Sequence, residues 1–452
     1  MREILPKNLI LLANACPKPL YIVGGSVRDF LAKLPTNTKD WDICSPMDAE
    51  TFKEVAERLH FTVKSVFKHT GTVKLCDPDG EEYEYSCFRS DKYVRGTHVP
   101  VEIFFTDDIA LDAKRRDFTA NAVYYDIQKD TFVDPLNGIT AIQEKRLTTV
   151  APAKKVFGED GLRLMRLARQ AAQLGFTPDE ECFLGAQENA ELIVDISPER
   201  IFTELKAILL ADQKYGNTDG PYQGLQLLSK TGVLDRIIPE LTLGRNLAQR
   251  ADFHRYDVLE HSLRAVKYAD EKIRLAALLH DVGKPFCRFR DGNSYEHAVE
   301  GAQIANTILN RLKAPKDTTT RVCDLVEWHM YDLDCKTNEN KLRRFLVSHT
   351  ELLEELLLLK QADFSACMDN LSIAPTCARW NTLLSKMKEE NVPFSLKELA
   401  IRGSDILEIG IQPCHVSQIL QRLLLHTALT PSDNEKSRLL RLAQGIEKDI
   451  SS

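Results

Sequence analysis

The sequence predicts an α+β fold: a small head with a mixed sheet over residues 1–150, followed by helices alone. Two patterns carry this reading. In the first 150 residues, short runs rich in β-branched and aromatic residues sit between turn residues, with one strongly helical stretch among them. From about residue 155 the strand signals nearly vanish and helical periodicity takes over. Length adds a third constraint, since 452 residues exceed one ordinary domain and suggest roughly two to four.

The N-terminal "MREILPKNLILLANACPKPLYIVGG" has a short apolar stretch and no small-residue cleavage site. It reads as a helix packing on the first strand rather than as a signal peptide. "PLYIVGG", "WDIC", "GTVKLC", "YEYSCF" and "VEIFF" read as strands. "DAETFKEVAERLH" has an acidic start and apolar residues at helical spacing, which predicts a helix on the outside of the sheet. Beyond it, "EDGLRLMRLARQAAQLGF", "SPERIFTELKAILLA", "GLQLLSKTGVLDRIIPEL", "DVLEHSLRAVKYAD", "KIRLAALLHDVGK" and "ELLEELLLLKQADFSACM" are all helical in period. Ser197 is a good N-cap, with Pro198 at the first helical position. Boundaries fall near 150, 240 and 370, so the helical part divides into 151–240, 241–370 and 371–452.

Hydrophobic content of 43% and charged content of 28% are those of a soluble globular chain. No segment reaches about 18 uncharged apolar residues, which excludes a membrane span and makes the cytoplasm the expected location. Eleven dispersed cysteines without a Cys-x-x-Cys pair predict reduced thiols and oppose a zinc ribbon. A net charge of −7 argues against nucleic-acid binding. Binding depends on where basic residues cluster, however, and Lys114-Arg115-Arg116 and the series Arg163, Arg166, Arg169 are such clusters.

In "VGGSVRD", Gly24 and Gly25 follow a strand and precede a helix, where glycine lets backbone approach a phosphate and Arg28 supplies positive charge. Most glycine pairs are merely turns. Here Asp40 and Asp42 follow within twenty residues, two apart, so that in a strand both carboxylates point to one side. Like charges so placed need a cation or a donor cluster, or else a solvated strand end. Glu84 lies on a later strand and would complete an oxygen-rich site of the kind Mg²⁺ prefers while bridging phosphates. In "AKRRDFTANAVYYD", Arg116 suits a triphosphate or ribose contact, and Asp117 and Asn121 suit a sugar or a backbone turn. In "EDGLRLMRLAR", Asp160, Arg163, Arg166 and Arg169 step by three and would form an oblique ridge on one helix. An acceptor-only carboxylate beside a five-donor guanidinium could read the edge of a base; a solvent-facing ridge would look the same.

"GGSVRD", "KDWDI", "KHTGTVKL", "YEYSCFRSDKY", "KRRDFTANAV", "FGEDGLRLMRLAR" and "SPERIFTEL" occur in the order found in class II tRNA nucleotidyltransferases. The chain resembles these CCA-adding enzymes, which share their head with bacterial poly(A) polymerases, motif by motif over 210 residues and more loosely beyond. The resemblance implies a nucleotidyltransferase head (1–150), a helical neck (151–240), a body (241–370) and a tRNA-gripping tail (371–452). It makes Asp40 and Asp42 the Mg²⁺ ligands for attack of an RNA 3′-hydroxyl on CTP or ATP, with Glu84 the third acid. Gly25, Arg28 and Arg116 match the family's nucleotide-contacting positions, and Asp160 and Arg163 the pair that reads the base edge without a template, with Arg166 and Arg169 at further nucleotide contacts. Gly24, Asp117, Asn121 and Glu159 are counted with them as nucleotide-binding candidates. Residues 90–100 fall where the family has a flexible loop that helps the switch from C to A. Gln170 departs from the family's usual Phe, which bears on the neck packing.

"LEHSLRAV", "ALLHDVGKP" and "KQADFSA" supply His261, His280, Asp281 and Asp363, and resemble the HD phosphohydrolases. Imidazole and carboxylate ligands suit Ni²⁺, Co²⁺, Mn²⁺ or Fe²⁺. His254, His297 and His329 could add ligands for a second ion or contact a phosphate. The expected activity is addition of CMP, CMP and AMP to tRNA. A poly(A) polymerase or a CC- or A-adding specialist is the nearest alternative, and an HD-type phosphohydrolase is one of another class. The mixed-charge C-terminal "EKSRLLRLAQGIEKDISS" lacks the basic tail usual in the polymerases.

Overall fold

The computed structural model describes residues 1–35, 41–94 and 100–451. The chain forms two units, residues 1–242 with 310–314, and residues 243–309 with 315–452.

The first unit begins with α1 (Lys7–Ala15), followed by β1 (Tyr21–Val23), α2 (Gly25–Leu31), β2 (Trp41–Ser45) and α3 (Ala49–Arg58). Strands β3 (Thr62–Phe67), β4 (Thr72–Cys76) and β5 (Glu82–Cys87) come next, then a separate hairpin of β6 (Arg89–Lys92) and β7 (Glu102–Phe105). After α4 (Ile109–Lys114), strands β8 (Tyr124–Asp126) and β9 (Thr131–Val133) rejoin the main sheet, whose order is β3-β4-β5-β2-β1-β8-β9. β2 and β5 run parallel while the other neighbours are antiparallel, so the sheet is mixed, as expected.

Alternation explains which strands were readable. β5 buries Tyr83 and Tyr85 and exposes Glu82 and Glu84, a period of two that the sequence displays. β3 is an edge strand with no fully buried residue, and β8 and β9 are three residues each, too short to show a period. Helix α3 is capped by Asp48, which accepts from Thr51 N, and it stacks the buried Phe52 on Tyr85 with ring centroids 3.7 Å apart. Burying a phenylalanine of this kind contributes about 2–3 kcal/mol.

The remainder of this unit is helical apart from one short parallel pair, Arg146–Leu147 with Thr177–Pro178: α5 (Gly138–Gln143), α6 (Ala153–Glu159) and α7 (Leu162–Leu174) lead to helices Pro198–Leu209 and Gly220–Lys230, which pack on α7. Gly224 permits the close crossing, because a Cβ there would lie 2.7 Å from Ile208 Cγ2. Ser197 and Pro198 hold the predicted cap and first-turn positions, although the Ser197 side chain makes no capping hydrogen bond.

In the second unit, helices Val258–Tyr268, Arg274–Leu279, Lys316–Trp328 and Leu353–Met368 pack around one core that includes the buried Leu278, Leu279, Leu356 and Leu359. Helices Lys284–Asp291, His297–Arg311 and Glu339–Ser348 lie between these in the chain, and Pro375–Glu389, Val416–Thr427 and Lys436–Ser451 are among those that follow. Among the described residues, no helix is long and apolar enough to cross a membrane.

Candidate active and metal sites

β1 ends at Val23 and the chain turns at Gly24 with φ +83° and ψ −141°, a conformation open to glycine. A Cβ on Gly24 would lie 3.0 Å from Asp42 Oδ2, so the turn abuts that carboxylate. The parallel register of β2 and β5 sets Asp42 opposite Glu84. Both are exposed, while Trp41, Ile43, Tyr83 and Tyr85 turn into the core. Neighbouring strands run about 4.8 Å apart, so two carboxylates stand on adjacent rungs beside the glycine turn. Lys74, opposite Glu84 on β4, pairs with it at 3.0 Å. Gly25 opens α2. Asp40 lies outside the described residues, as do residues 95–99 of the expected loop.

The arginines are drawn inward. Arg28 is buried: Nε and Nη2 donate to Asp29 Oδ1 at 2.9 and 2.6 Å, and Nη1 donates to Asn121 Oδ1 at 2.7 Å. Arg116 Nη2 donates to Asp112 Oδ2 at 3.1 Å, and Arg115 Nε donates to Asp112 Oδ1 at 2.7 Å. Burial alone would raise the Asp112 carboxyl, but Arg115 and Arg116 outweigh it and hold it at about 2. The sequence reading passed over Asp112; its signal was the spacing of three and four residues to the two arginines on a helix. Asp117 accepts from Arg166 Nε at 2.8 Å and from Asn121 Nδ2 at 3.0 Å. Against the upward pull of its burial, the Arg166 charge holds Asp117 well below the usual carboxylate range. The buried Gln170 accepts from Asn121 Nδ2 at 3.1 Å and donates to Asp117 Oδ2 at 3.4 Å, and so joins this network where an aromatic ring could not.

The expected ridge is only partly formed. α6 ends at Glu159 and α7 begins at Leu162, so Asp160 stands between helices with extended backbone, φ −142° and ψ 107°. Gly161, just before α7, packs on the Leu192 carbonyl, which a Cβ would approach to 2.4 Å. Asp160 Oδ1 accepts from Leu162 N at 2.9 Å, and burial raises its carboxyl. Arg163, Arg166 and Arg169 do share α7, yet Arg163 is buried instead of facing solvent. Its Nη2 donates to Arg115 O at 2.7 Å, its Nε lies 3.9 Å from Asp160 Oδ2, and its Nη1 lies 3.5 Å from Glu159 Oε2. The Tyr93 ring sits 5.6 Å from its guanidinium carbon. Arg169 Nε donates to Glu204 Oε2 at 2.7 Å.

The second unit brings His261, His280, Asp281 and Asp363 together, with His297 and His329 added, all buried. His261 Nε2 lies 3.2 Å from His280 Nε2 and 3.0 Å from Asp363 Oδ1. Asp281 stands between two groups, with Oδ2 3.4 Å from both His261 and His280 and Oδ1 3.2 Å from His297 Nε2. Gly283 permits this packing, since a Cβ there would meet His297 O at 2.2 Å. His280, His297 and His329 each direct Nδ1 to a backbone carbonyl, at 2.8, 2.6 and 2.6 Å. These bonds assign the proton to Nδ1 and turn the Nε2 lone pair toward the centre, the orientation of a metal-ligating histidine. Burial lowers His280, but Asp281 and Asp363 outweigh it and raise it to about 10. Burial and the neighbouring His297 and His280 push His329 the other way, well below its ordinary value, and the nitrogen and oxygen donors gathered here suit a divalent transition metal. Lys284 Nζ, 2.6 Å from Asp281 Oδ2, is a further member that the sequence reading did not single out.

Family models match three segments: "Poly A polymerase head domain" over residues 20–148, "Probable RNA and SrmB- binding site of polymerase A" over 175–243, and "HD domain" over 253–365. The A-adding tRNA nucleotidyltransferase of Deinococcus radiodurans is 30% identical over 438 residues, covering 91% of this chain and 92% of that protein. The chain belongs to the class II tRNA nucleotidyltransferase family and carries an HD domain. The CCA-adding enzyme of Lactococcus lactis subsp. lactis (strain IL1403) is 37% identical over 223 residues, 49% of this chain and 52% of that enzyme. The chain thus spans about half the length of the first CCA-adding relatives it matches, from 46% to 52% of each. Among solved structures, the Bacillus stearothermophilus CCA-adding enzyme in complex with CTP aligns with TM-score 0.65 at 23% identity, covering 98% of both chains. The Thermotoga maritima CCA-adding enzyme complexed with tRNA aligns with TM-score 0.63 at 17% identity, over 97% of this chain and 95% of that one. These two likenesses establish a shared fold.

Proposed function

We propose that the protein is a CCA-adding tRNA nucleotidyltransferase, using CTP and ATP to add CMP, CMP and AMP to tRNA 3′ ends. The observation that carries the reading is Asp42 in register with Glu84 beside the Gly24 turn. Asp42 and Glu84, with Asp40, would hold Mg²⁺. A divalent cation there supplies charge neutralisation of the phosphates and of the attacking and leaving oxygens. The Gly24–Gly25 turn gives the triphosphate room against the sheet. The RNA 3′-oxygen attacks the α-phosphorus in line, the bond to the β-phosphate oxygen breaks, pyrophosphate leaves, and the hydroxyl proton passes to solvent. Asp160 and Arg163 offer an acceptor and a donor fork to the base edge, flanked by Glu159. Arg28, Arg116, Asp117, Asn121, Arg166 and Arg169 hold that pocket through the contacts described above.

In this reading, residues 1–150 are the catalytic head, 151–240 select the nucleotide, 241–370 carry the HD site, and 371–452 bind tRNA. The HD cluster adds a metal-dependent phosphohydrolase activity, with His261, His280, Asp281 and Asp363 as ligands for Ni²⁺, Co²⁺, Mn²⁺ or Fe²⁺. The near-complete alignment with an A-adding enzyme favours A addition alone as the second reading. Extension of a tRNA transcript ending before CCA, with CTP, ATP or both, separates them. Two C and one A are expected; A added only to a CC end would hand the case to the specialist. Long A tracts would favour a polymerase, and no extension would remove the transferase reading.

A further inference from the structure

Cys367 lies one helical turn beyond Asp363 on helix Leu353–Met368, and its Sγ donates to the Asp363 carbonyl at 3.4 Å. Donor atoms of Cys367, His254 and His261 all fall within 4.8 Å of one another. The His254 and His261 rings meet edge to face, with centroids 5.0 Å apart. His261 is wholly buried, and Nδ1 of both histidines is buried with no hydrogen-bond partner among the described residues. A buried imidazole nitrogen without a partner costs on the order of 1–3 kcal/mol, so two of them beside a thiol form an unsatisfied donor set. None of the three side chains serves the nucleotidyl-transfer site, which belongs to the other unit.

We propose that His254, His261 and Cys367 form a thiolate-bearing cation site adjoining the histidine–aspartate cluster, with His261 common to both. The inference rests on the reading of that cluster as a metal centre. Two nitrogens and one sulfur select a borderline-soft cation such as Zn²⁺ or Co²⁺ over Mg²⁺ or Ca²⁺. Three protein ligands leave a position for water or a phosphate oxygen. Binding forms a sulfur–metal bond and releases two protons to solvent, the Cys367 thiol proton and the His261 ring proton, because His261, serving the cluster through Nε2 and this cation through Nδ1, bridges them as an imidazolate. A soft third position would make the metal content of this unit sensitive to thiol oxidation, which a cluster built from nitrogen and oxygen ligands alone is not.

The test is cobalt substitution of the full chain after chelation, under reducing conditions, read by absorption and by bound cobalt per chain. The wild-type protein is expected to show a near-ultraviolet thiolate-to-cobalt charge-transfer band together with visible d–d bands. Cys367→Ser should lose the charge-transfer band and one cobalt per chain while keeping the d–d bands of the histidine–aspartate cluster. That retained signal also shows that the variant folds. His254→Ala should weaken cobalt binding at the thiolate position at least tenfold. A wild-type spectrum with d–d bands and no charge-transfer band overturns the thiolate site and leaves the metal centre standing. A charge-transfer band that survives Cys367→Ser comes from another cysteine and also overturns it. No cobalt binding at all removes the metal centre itself, and this site with it.

Discussion

The two units treat buried charge in opposite ways. In the first, three buried acids are each paired with arginine: Asp29 has Arg28, Asp112 has Arg115 and Arg116, and Asp117 has Arg166. The acids that remain exposed there, Asp42 and Glu84, lie beside a glycine turn. In the second, four imidazoles and two carboxylates are packed together, with Lys284 on Asp281 and the buried Lys360 donating to the His329 carbonyl. The first neutralises these buried acids internally and leaves Asp42 and Glu84 at an exposed edge. The second gathers buried nitrogen and oxygen donors of the kind that suit a divalent transition metal. A protein with both can lose one chemistry and keep the other.

The largest expected effect tests that independence. Asp42→Ala should reduce nucleotide addition by roughly 10³-fold or more, because the cation's several kcal/mol of charge stabilisation goes with the ligand. Transition-metal content should stay unchanged. Asp281→Ala should do the reverse, emptying the buried cluster of metal while tRNA extension stays within about threefold. Measuring extension and metal content on both variants decides the matter. If either substitution abolishes both signals, the two sites are not separate.

Next comes the ion-pair cage of the head. Asp112 sits at about 2 in the folded protein against an ordinary 3.8. A depressed carboxylate contributes stability that is fully present above 3.8 and is lost as pH falls through 3.8 toward 2. The shift is worth about 2 kcal/mol, because the side chain is wholly buried. Asp112→Asn at neutral pH should cost about 3 kcal/mol, since two half-buried arginines lose their partner. It should also flatten the acid limb between pH 4 and 2 in urea melts of the full chain. An unchanged acid limb would show that other carboxylates set it.

Gly24→Ala is a smaller and more local perturbation. The φ of +83° and the approach to 3.0 Å of Asp42 Oδ2 both oppose a methyl group. The stability cost should be about 1–2 kcal/mol, and extension should fall by more than that destabilisation explains. Asp42 would be displaced at the site itself. Loss of stability with kcat unchanged would make the turn a backbone feature only.

What the sequence made legible follows from the range of each interaction. Alternation along β5, the Asp48 cap and the His280-Asp281 dipeptide are local patterns, readable without a fold. The ridge from Asp160 to Arg169 reads as continuous because its spacing of three is a local pattern, whereas the extended backbone at Asp160 belongs to the junction of two packed helices, α6 and α7. That Arg163 would be buried was invisible because its partner Arg115 is 48 residues away. The grouping of His254 with Cys367 needed a loop brought against the end of a helix more than a hundred residues away, where Arg255 N donates to Cys367 O at 2.9 Å. Residue types announce what chemistry is available; pairings far apart in sequence decide which of it is used.

Gln170 gives the finest test of the contrast, because it acts only through the internal network of the first unit. It accepts from Asn121, which in turn accepts from Arg28, and it donates weakly to Asp117. Gln170→Ala leaves Asn121 still bonded to Asp117, so the loss should be about 1 kcal/mol, near the value of one buried hydrogen bond. Extension should fall less than tenfold, with CTP and ATP affected alike if the network only braces the pocket. The double variant with Asn121→Ala should be less than additive by about 0.5–1 kcal/mol, as for residues in direct contact. Strict additivity would mean that Gln170 fills space without aligning Asn121. A loss confined to one nucleotide would mean instead that this residue, where the family usually carries phenylalanine, takes part in choosing between C and A.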